Sequence, residues 1–228
     1  MRHIIFGESH GPAIGVTLEG APSGVALDWD FIRAEMARRA PGRSAMSTAR
    51  KEADEVQILS GVFEGKTTGT PLCAVIPNTD TRSGDYAQLK VLPRPGHADY
   101  SGGVRYGGHN DYRGGGHFSG RLTAPLCIAG GIALQILARR GIHIGAHIRS
   151  IAAVEDRPFD PLGEDPDVLD RVKRAPFPVL EERAGEHMRA AILQAREAGD
   201  SVGGVVECIA QGVPVGLGNP MFQGLESQ

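Results

Sequence analysis

The sequence predicts a mixed α/β (α+β) fold, and three observations predict it. Short runs of alternating apolar residues are closed by Gly/Pro turns, as in half-buried strands. Other runs keep helical spacing between a capping residue and a glycine or proline stop. Glycine is abundant, 32 of 228 residues, about twice the usual ~7% share. With 41% hydrophobic residues such a chain builds a core, so the glycines mark tight turns and close backbone approach rather than disorder.

Taken in order, Ile14, Val16 and Leu18 alternate with smaller or polar residues, which predicts a strand over 13–19 closed by the turn 20–24. Asp28 caps a helix with Phe31, Ile32 and Met36 on its apolar face, ending before Pro41. Arg38 and Arg39 fall in its last turn, where cations suit the macrodipole. Two strands are predicted at 56–63 and 71–76, with a Gly/Thr turn between them. The stretch 78–121 has little periodicity and many glycines, and a loop of that length is usually functional. A buried helix is predicted at 124–139, apolar nearly all round, with Pro125 in its first turn and Gly141 past its end. An acidic, Pro-rich excursion at 151–178 holds a short helix near 167–174. Leu180, Ala184, Met188, Ile192 and Ala195 then keep helical spacing up to Gly199, and Val205–Ala210 reads as a strand.

Charge and composition narrow the functional classes. Net charge is −3 with both signs interspersed, so no basic stripe for nucleic acid stands out. Cys73, Cys127 and Cys208 are scattered without metal spacing, and read as reduced core residues of a cytoplasmic protein. The apolar stretch 124–137 is too short to cross a bilayer, and no signal peptide precedes the first motif at Gly7.

Residues 7–25 align without gaps on 199–217. Six of nineteen positions are identical, with G-[ED]-S-x-G and G-x-P-x-G in both copies. Two Gly/Pro-punctuated strands can look alike by chance. The alternative is an internal duplication within one domain, 1–228, whose first half opens near 7 and second near 199. That second half then has about thirty residues before Gln228, which suggests an incomplete repeat. Val205, Val206, Ile209, Val213 and Leu217 would present an apolar face needing cover from material beyond it.

Two histidines carry candidate chemistry. Gly7-Glu-Ser-His10-Gly11 sets an imidazole in a glycine-flanked turn, and the second copy has Val202 at that place. A solvated turn histidine is the bland reading. Arg94-Pro-Gly-His97-Ala-Asp99 could be a metal-site fragment, but further ligands at tight spacing are absent. From Ser101 to Gly120 there are eight glycines, framed by Arg105, Arg113 and Arg121. RNA-binding RGG segments are repetitive and lie outside cores, whereas these glycines lead into the predicted helix near 124. Glycine amides before a helix with arginines nearby make an anion cradle. Histidines beside such a cradle suit proton transfer at a phosphate.

Beyond this, FGESHGPAIG, RRAPGRS with TARKE, SGVFEGKTTGTPL, NTDTRSGDY, RPGHADY, DYRGGGHFSGR and GDSVGG…GVPVGLGNPMF resemble, in order and spacing, the chorismate synthase family across the chain. The resemblance implies a β-α-β sandwich with an internal two-fold repeat, and a homotetrameric, cytoplasmic lyase. The implied reaction is the anti-1,4-elimination of phosphate from 5-enolpyruvylshikimate 3-phosphate. Reduced FMN is the implied cofactor, with NADPH for flavin reduction. By resemblance His10 assists phosphate departure and His97 protonates the flavin. Ser9, Arg39, Arg50, Arg94 and Arg121 bind substrate. His117, Phe118, Ser119 and Arg39 contact the cofactor.

Ala45, His117 and Leu122 depart from residues common in the family. The family also continues past Gln228, where most FMN contacts are expected. A different class of reading is a non-catalytic remnant that binds anions or pairs with another chain.

Overall fold

A computed structural model describes residues 1–40, 54–79, 86, 89 and 91–217. The chain divides into two compact units, Met1–Ile136 and Leu137–Gln228.

In the first unit, β1 (Arg2–Gly7), β2 (Ala13–Glu19), β6 (Leu72–Pro77) and β3 (Gln57–Ser60) form one antiparallel sheet in that spatial order. Ile14, Val16 and Leu18 on β2 and Leu72, Ala74 and Ile76 on β6 are all buried. The period of two puts each trio on one sheet face. They pack with Ile32 and Met36 of α1 (Trp29–Arg39) and with Ala124, Ile128 and Ile132 of α3 (Thr123–Ala138). Each such aliphatic side chain contributes on the order of 1.5–3 kcal/mol, so this layer dominates the unit's stability.

The predicted bounds of β2 and α1 agree with the structure. Asp28 accepts from the Phe31 amide at 3.0 Å, and Arg38 and Arg39 occupy the last turn of α1. The continuous strand expected over 56–63 is broken. Gly61, with φ +82°, lies so close to the Leu72 backbone that a Cβ would fall 2.3 Å from Leu72 Cα. Beyond it β4 (Val62–Phe63) and β5 (Lys66–Thr67) make a separate hairpin, turned by Glu64 and Gly65, both with positive φ. Helix α3 is also less buried than expected, since Leu126 is 48% exposed. Its 16 residues reach about 24 Å, less than the ~30 Å hydrocarbon core of a bilayer. The glycines at 114–116 have non-helical dihedrals, so no continuous helix extends it upstream. Sequence periodicity missed β1 and α2 (Asp99–Arg105).

In the second unit, β7 (His143–Ile151) pairs with both β8 (Val154–Glu155) and β9 (Gly204–Gln211). Neither β7 nor β8 was anticipated. Helix α4 (Pro166–Arg174) is capped by Asp165, and its Leu169 and Val172 join Phe159 and Leu180 in a small core. Helix α5 (Glu182–Glu197) contributes Ala184 and Met188 to a second cluster.

One buried group of this unit is ionic. Nδ1 of His147 lies 3.0 Å from Asp156 and Nε2 lies 2.8 Å from Glu207. The ring thus bridges the two acids, one from each nitrogen. Asp156 also accepts from the amides of Arg157, Leu180 and Glu181. The cluster therefore ties β7 and β9 to the 156–181 excursion.

At the aligned repeat, β2 and β9 occupy equivalent positions, 13–19 and 204–211. Three of the four aligned glycine pairs share left-handed backbone: Gly7 and Gly199 at φ 97° and 67°, Gly20 and Gly212 at 75° and 73°, Gly24 and Gly216 at 76° and 91°; Gly11 and Gly203 do not. Val205, Val206, Val213 and Leu217 are 53%, 71%, 44% and 69% exposed, while Ile209 packs on the Phe159 cluster. Cys208 is exposed on β9 and Cys73 is half-buried, whereas Cys127, also half-buried, packs against the core of the first unit, so only Cys127 approaches the core place expected of all three.

Candidate anion-binding and proton-transfer site

The first unit carries the motifs, and β1, β2 and β6 position them. The β1–β2 connection is the GESHG turn, closed by a bond from the Gly11 amide to the Glu8 carbonyl at 3.0 Å. Ser9 is fully buried and His10 nearly so. The Ser9 hydroxyl lies 3.0 Å from His10 Nδ1, 3.1 Å from the Gly114 carbonyl and 3.3 Å from the Arg113 carbonyl. Its single proton is satisfied by these carbonyls, so the hydroxyl accepts from Nδ1–H. That assigns the proton of a neutral ring to Nδ1 and makes Nε2 the basic nitrogen. The Tyr86 ring meets the imidazole edge-on at 4.9 Å.

The glycine segment wraps this turn. Gly114, Gly115 and Gly116 have φ of 57°, 85° and 54°, a run that residues with a Cβ rarely adopt. At Gly114 space forbids one as well, since a Cβ would fall 2.1 Å from His10 Cε1. The Ser9 amide donates to the Gly116 carbonyl at 3.1 Å. His117, expected against the cofactor, directs Nδ1 to the Gly7 carbonyl at 2.9 Å, which fastens the segment to β1, while its ring stays exposed.

A cleft of about 260 Å³ opens beside these glycines. It is lined by Arg94, His97, Asp99, Gly114, Gly115, Phe118, Ser119 and Gly120, among others. Phe118 is 41% exposed and rests on Gly102 of α2, where a Cβ would come within 2.5 Å of its ring. His97 is exposed, with Nδ1 at 3.2 Å from the Pro95 carbonyl. Nδ1 therefore donates there, and Nε2 is the second ring position. Gly114 is shared, because it lines the cleft and contacts His10.

Aspartates hold the arginines. Arg94 forks onto Asp99 through Nε at 2.8 Å and Nη2 at 3.1 Å. These bonds hold the Asp99 carboxyl below the usual carboxylate range and raise the Arg94 guanidinium. Arg113 forks likewise onto Asp111, which is lowered for the same reason. Arg39 and Arg121 share Asp54, each by an Nη1 bond, at 2.8 and 2.6 Å. Arg39 also reaches the Thr123 hydroxyl at 3.4 Å. Arg121 and Asp54 are buried, and Arg121 Nε donates to Asn78 Oδ1 at 2.9 Å.

Of the residues singled out in sequence, Ser9 and His10 meet at the turn, and Arg94, His97, Phe118 and Ser119 meet at the cleft. Arg39 and Arg121 join at Asp54, and Arg50 lies outside the described residues. Sequence reading passed over Asp54, Asn78 and Tyr86. Asn78 and Tyr86 had a signal, as the two ends of NTDTRSGDY; Asp54 had none.

The chorismate synthase family model matches residues 1–228. The chain belongs to the chorismate synthase family. Chorismate synthases of Lancefieldella parvula, Aeropyrum pernix and Thermococcus kodakarensis are 44%, 47% and 46% identical over 98%, 99% and 98% of this chain. A crystal structure of chorismate synthase superposes with a TM-score of 0.69 at 29% identity, covering 93% of this chain and 58% of that one. The chain spans about three fifths of the length of the curated relatives it matches, 61%, 59% and 60% of them. For a chorismate synthase relative of this length, the first unit holds both histidine motifs and the cleft.

Proposed function

We propose that the protein to which this chain belongs converts 5-enolpyruvylshikimate 3-phosphate to chorismate and phosphate by anti-1,4-elimination. Family membership supports this, and one observation carries it. A cleft lined by Arg94 and His97 shares Gly114 with the buried His10 turn. A phosphate-leaving reaction needs anion donors and a proton source in that proximity.

The chain's residues fit one flank of a reduced FMN. Phe118 offers an exposed ring face, and Gly115 leaves open the space between Ser119 and Arg94 that a Cβ would enter, 3.7 Å and 3.8 Å from them. Phe118, Ser119 and His97 would hold it there. When bound, the flavin supplies the electron-rich partner that assists C–O cleavage. His10 serves the departing phosphate oxygen once its basic Nε2 has taken up a proton, and the Ser9 hydroxyl fixes its ring through Nδ1. His97, with Nδ1 turned to Pro95, leaves Nε2 beside the cleft as the position that takes up and gives back a proton. Arg94, kept in plane by Asp99, presents a fork to a carboxylate or phosphate. Arg39 and Arg121 lend positive charge from the Asp54 side, and Arg50 is proposed with them.

The same reading takes NADPH as the source of flavin electrons, a homotetramer as the assembly and the cytoplasm as the compartment. It also takes 1–228 as one domain with two similar halves. The test is anaerobic incubation of the protein with reduced FMN and 5-enolpyruvylshikimate 3-phosphate, following chorismate absorbance and phosphate release. Both products in equal amounts are expected. Phosphate without chorismate, or neither product at the full length of the relatives, overturns the proposal.

A further inference from the structure

We propose that Asn78 is a positioning residue for His10, an inference that rests on the proton-transfer role given to His10 above. The register puts it there. Ala13 pairs with Pro77 across β2 and β6, so the residue that follows β6 runs beside the GESHG turn. The Asn78 amide continues the ladder to the Pro12 carbonyl at 3.1 Å.

The side chain then clamps both ends of the turn. Nδ2 donates to the Glu8 carbonyl at 2.9 Å and to the Gly11 carbonyl at 2.8 Å. These carbonyls bracket Ser9 and His10. Oδ1 accepts from Arg121 Nε at 2.9 Å. The orientation of the amide follows from chemistry, since carbonyls only accept and a guanidinium only donates. All three bonds are lost if it flips. Arg121 is itself held by Asp54 at 2.6 Å. Asn78 thus transmits a rigid buried ion pair to the turn that sets the His10 ring on Ser9, without touching His10 itself.

Asn78→Asp separates positioning from anchorage. The carboxylate still accepts from Arg121, so the Asp54 side is retained. Both donors to the turn vanish, and an oxygen faces two carbonyl oxygens. In this chain labelled with ¹⁵N, the unaltered protein should show a His10 Nδ1 that is protonated and fixed. In N78D that signal should move toward the average of a freely tautomerising ring, while His143 and His147 keep their signals. In the protein assayed at the relatives' full length, kcat should fall about tenfold or more with KM within about threefold, less than the ~10²–10⁴ for losing the acid itself. An unchanged His10 signal in folded N78D overturns the proposal, whatever the reaction proves to be. A changed signal in a protein with no elimination activity in either form leaves positioning standing and removes the catalytic reading. Should N78D not fold, the unaltered chain decides: the Asn78 amide protons must show couplings across hydrogen bonds to the Glu8 and Gly11 carbonyl carbons, and their absence refutes the clamp.

Discussion

Nη1 of Arg121 lies 2.6 Å from Oδ1 of Asp54, and both side chains are closed to solvent at 3% and 1% exposure. Asp54 reaches this place with φ of +49°, a left-handed backbone that aspartate tolerates better than most residues. Its second oxygen takes Arg39 at 2.8 Å. Removing the carboxylate takes this ion pair away from a buried guanidinium. Asp54→Ala should therefore lose on the order of 3–5 kcal/mol, as for other broken buried pairs. Chemical denaturation of the variant beside the parent checks it.

The contact between Gly114 and His10 gives a second expectation. Gly114→Ala adds a Cβ 2.1 Å from the imidazole at a φ of +57°. The ring or the 113–118 segment must shift. A stability loss of about 1–3 kcal/mol is expected from backbone strain and overpacking, and the His10 ring resonances should move. Thermal unfolding and histidine NMR read both.

The histidines differ in burial and should differ in what their loss does. At the relatives' full length, His10→Ala and His97→Ala should each lower kcat by roughly 10²–10⁴, with smaller changes in KM. His97 is exposed, so its variant should keep the parent's melting temperature. His10 is buried against Ser9 and Gly114, so its variant should also melt lower. Steady-state kinetics with paired melting curves decide.

Acid should weaken the Arg94–Asp99 fork. Hydrogen bonds from Arg94 hold the Asp99 carboxyl below its ordinary value of 3.8. A depressed acid contributes stability that is fully present above the unfolded value and is lost as pH falls through the folded one. The contribution is therefore flat from neutrality down to about pH 4 and declines below it. Asp99→Asn should remove that acid dependence. Glu207, lowered chiefly by its bond from His147, should behave alike in the second unit. Urea titrations between neutral and acid pH, on parent and variant, test the sign.

The sequence by itself determined the pieces whose signals are local. Asp28 before an apolar face marked the start of α1, and alternation marked β2, because capping and two-residue periodicity act within a few positions. The glycine and histidine motifs marked the turn and the segment that line the candidate site, and their order pointed to the family. Strand β7 was passed over although Ile144, Ala146 and Ile148 alternate with His143, Gly145 and His147, because its fully buried residue is the polar His147, and pairing with β9 fixes it. Only the tertiary structure decided how the site is held. Asp54 meets Arg121 across 67 residues and Asn78 meets it across 43, and a buried polar residue has no periodic signature by which to find it. Its place is set by the requirement that each charge or amide shut away from water find a partner, and that partner exists only once β2, β6 and the glycine segment have come together.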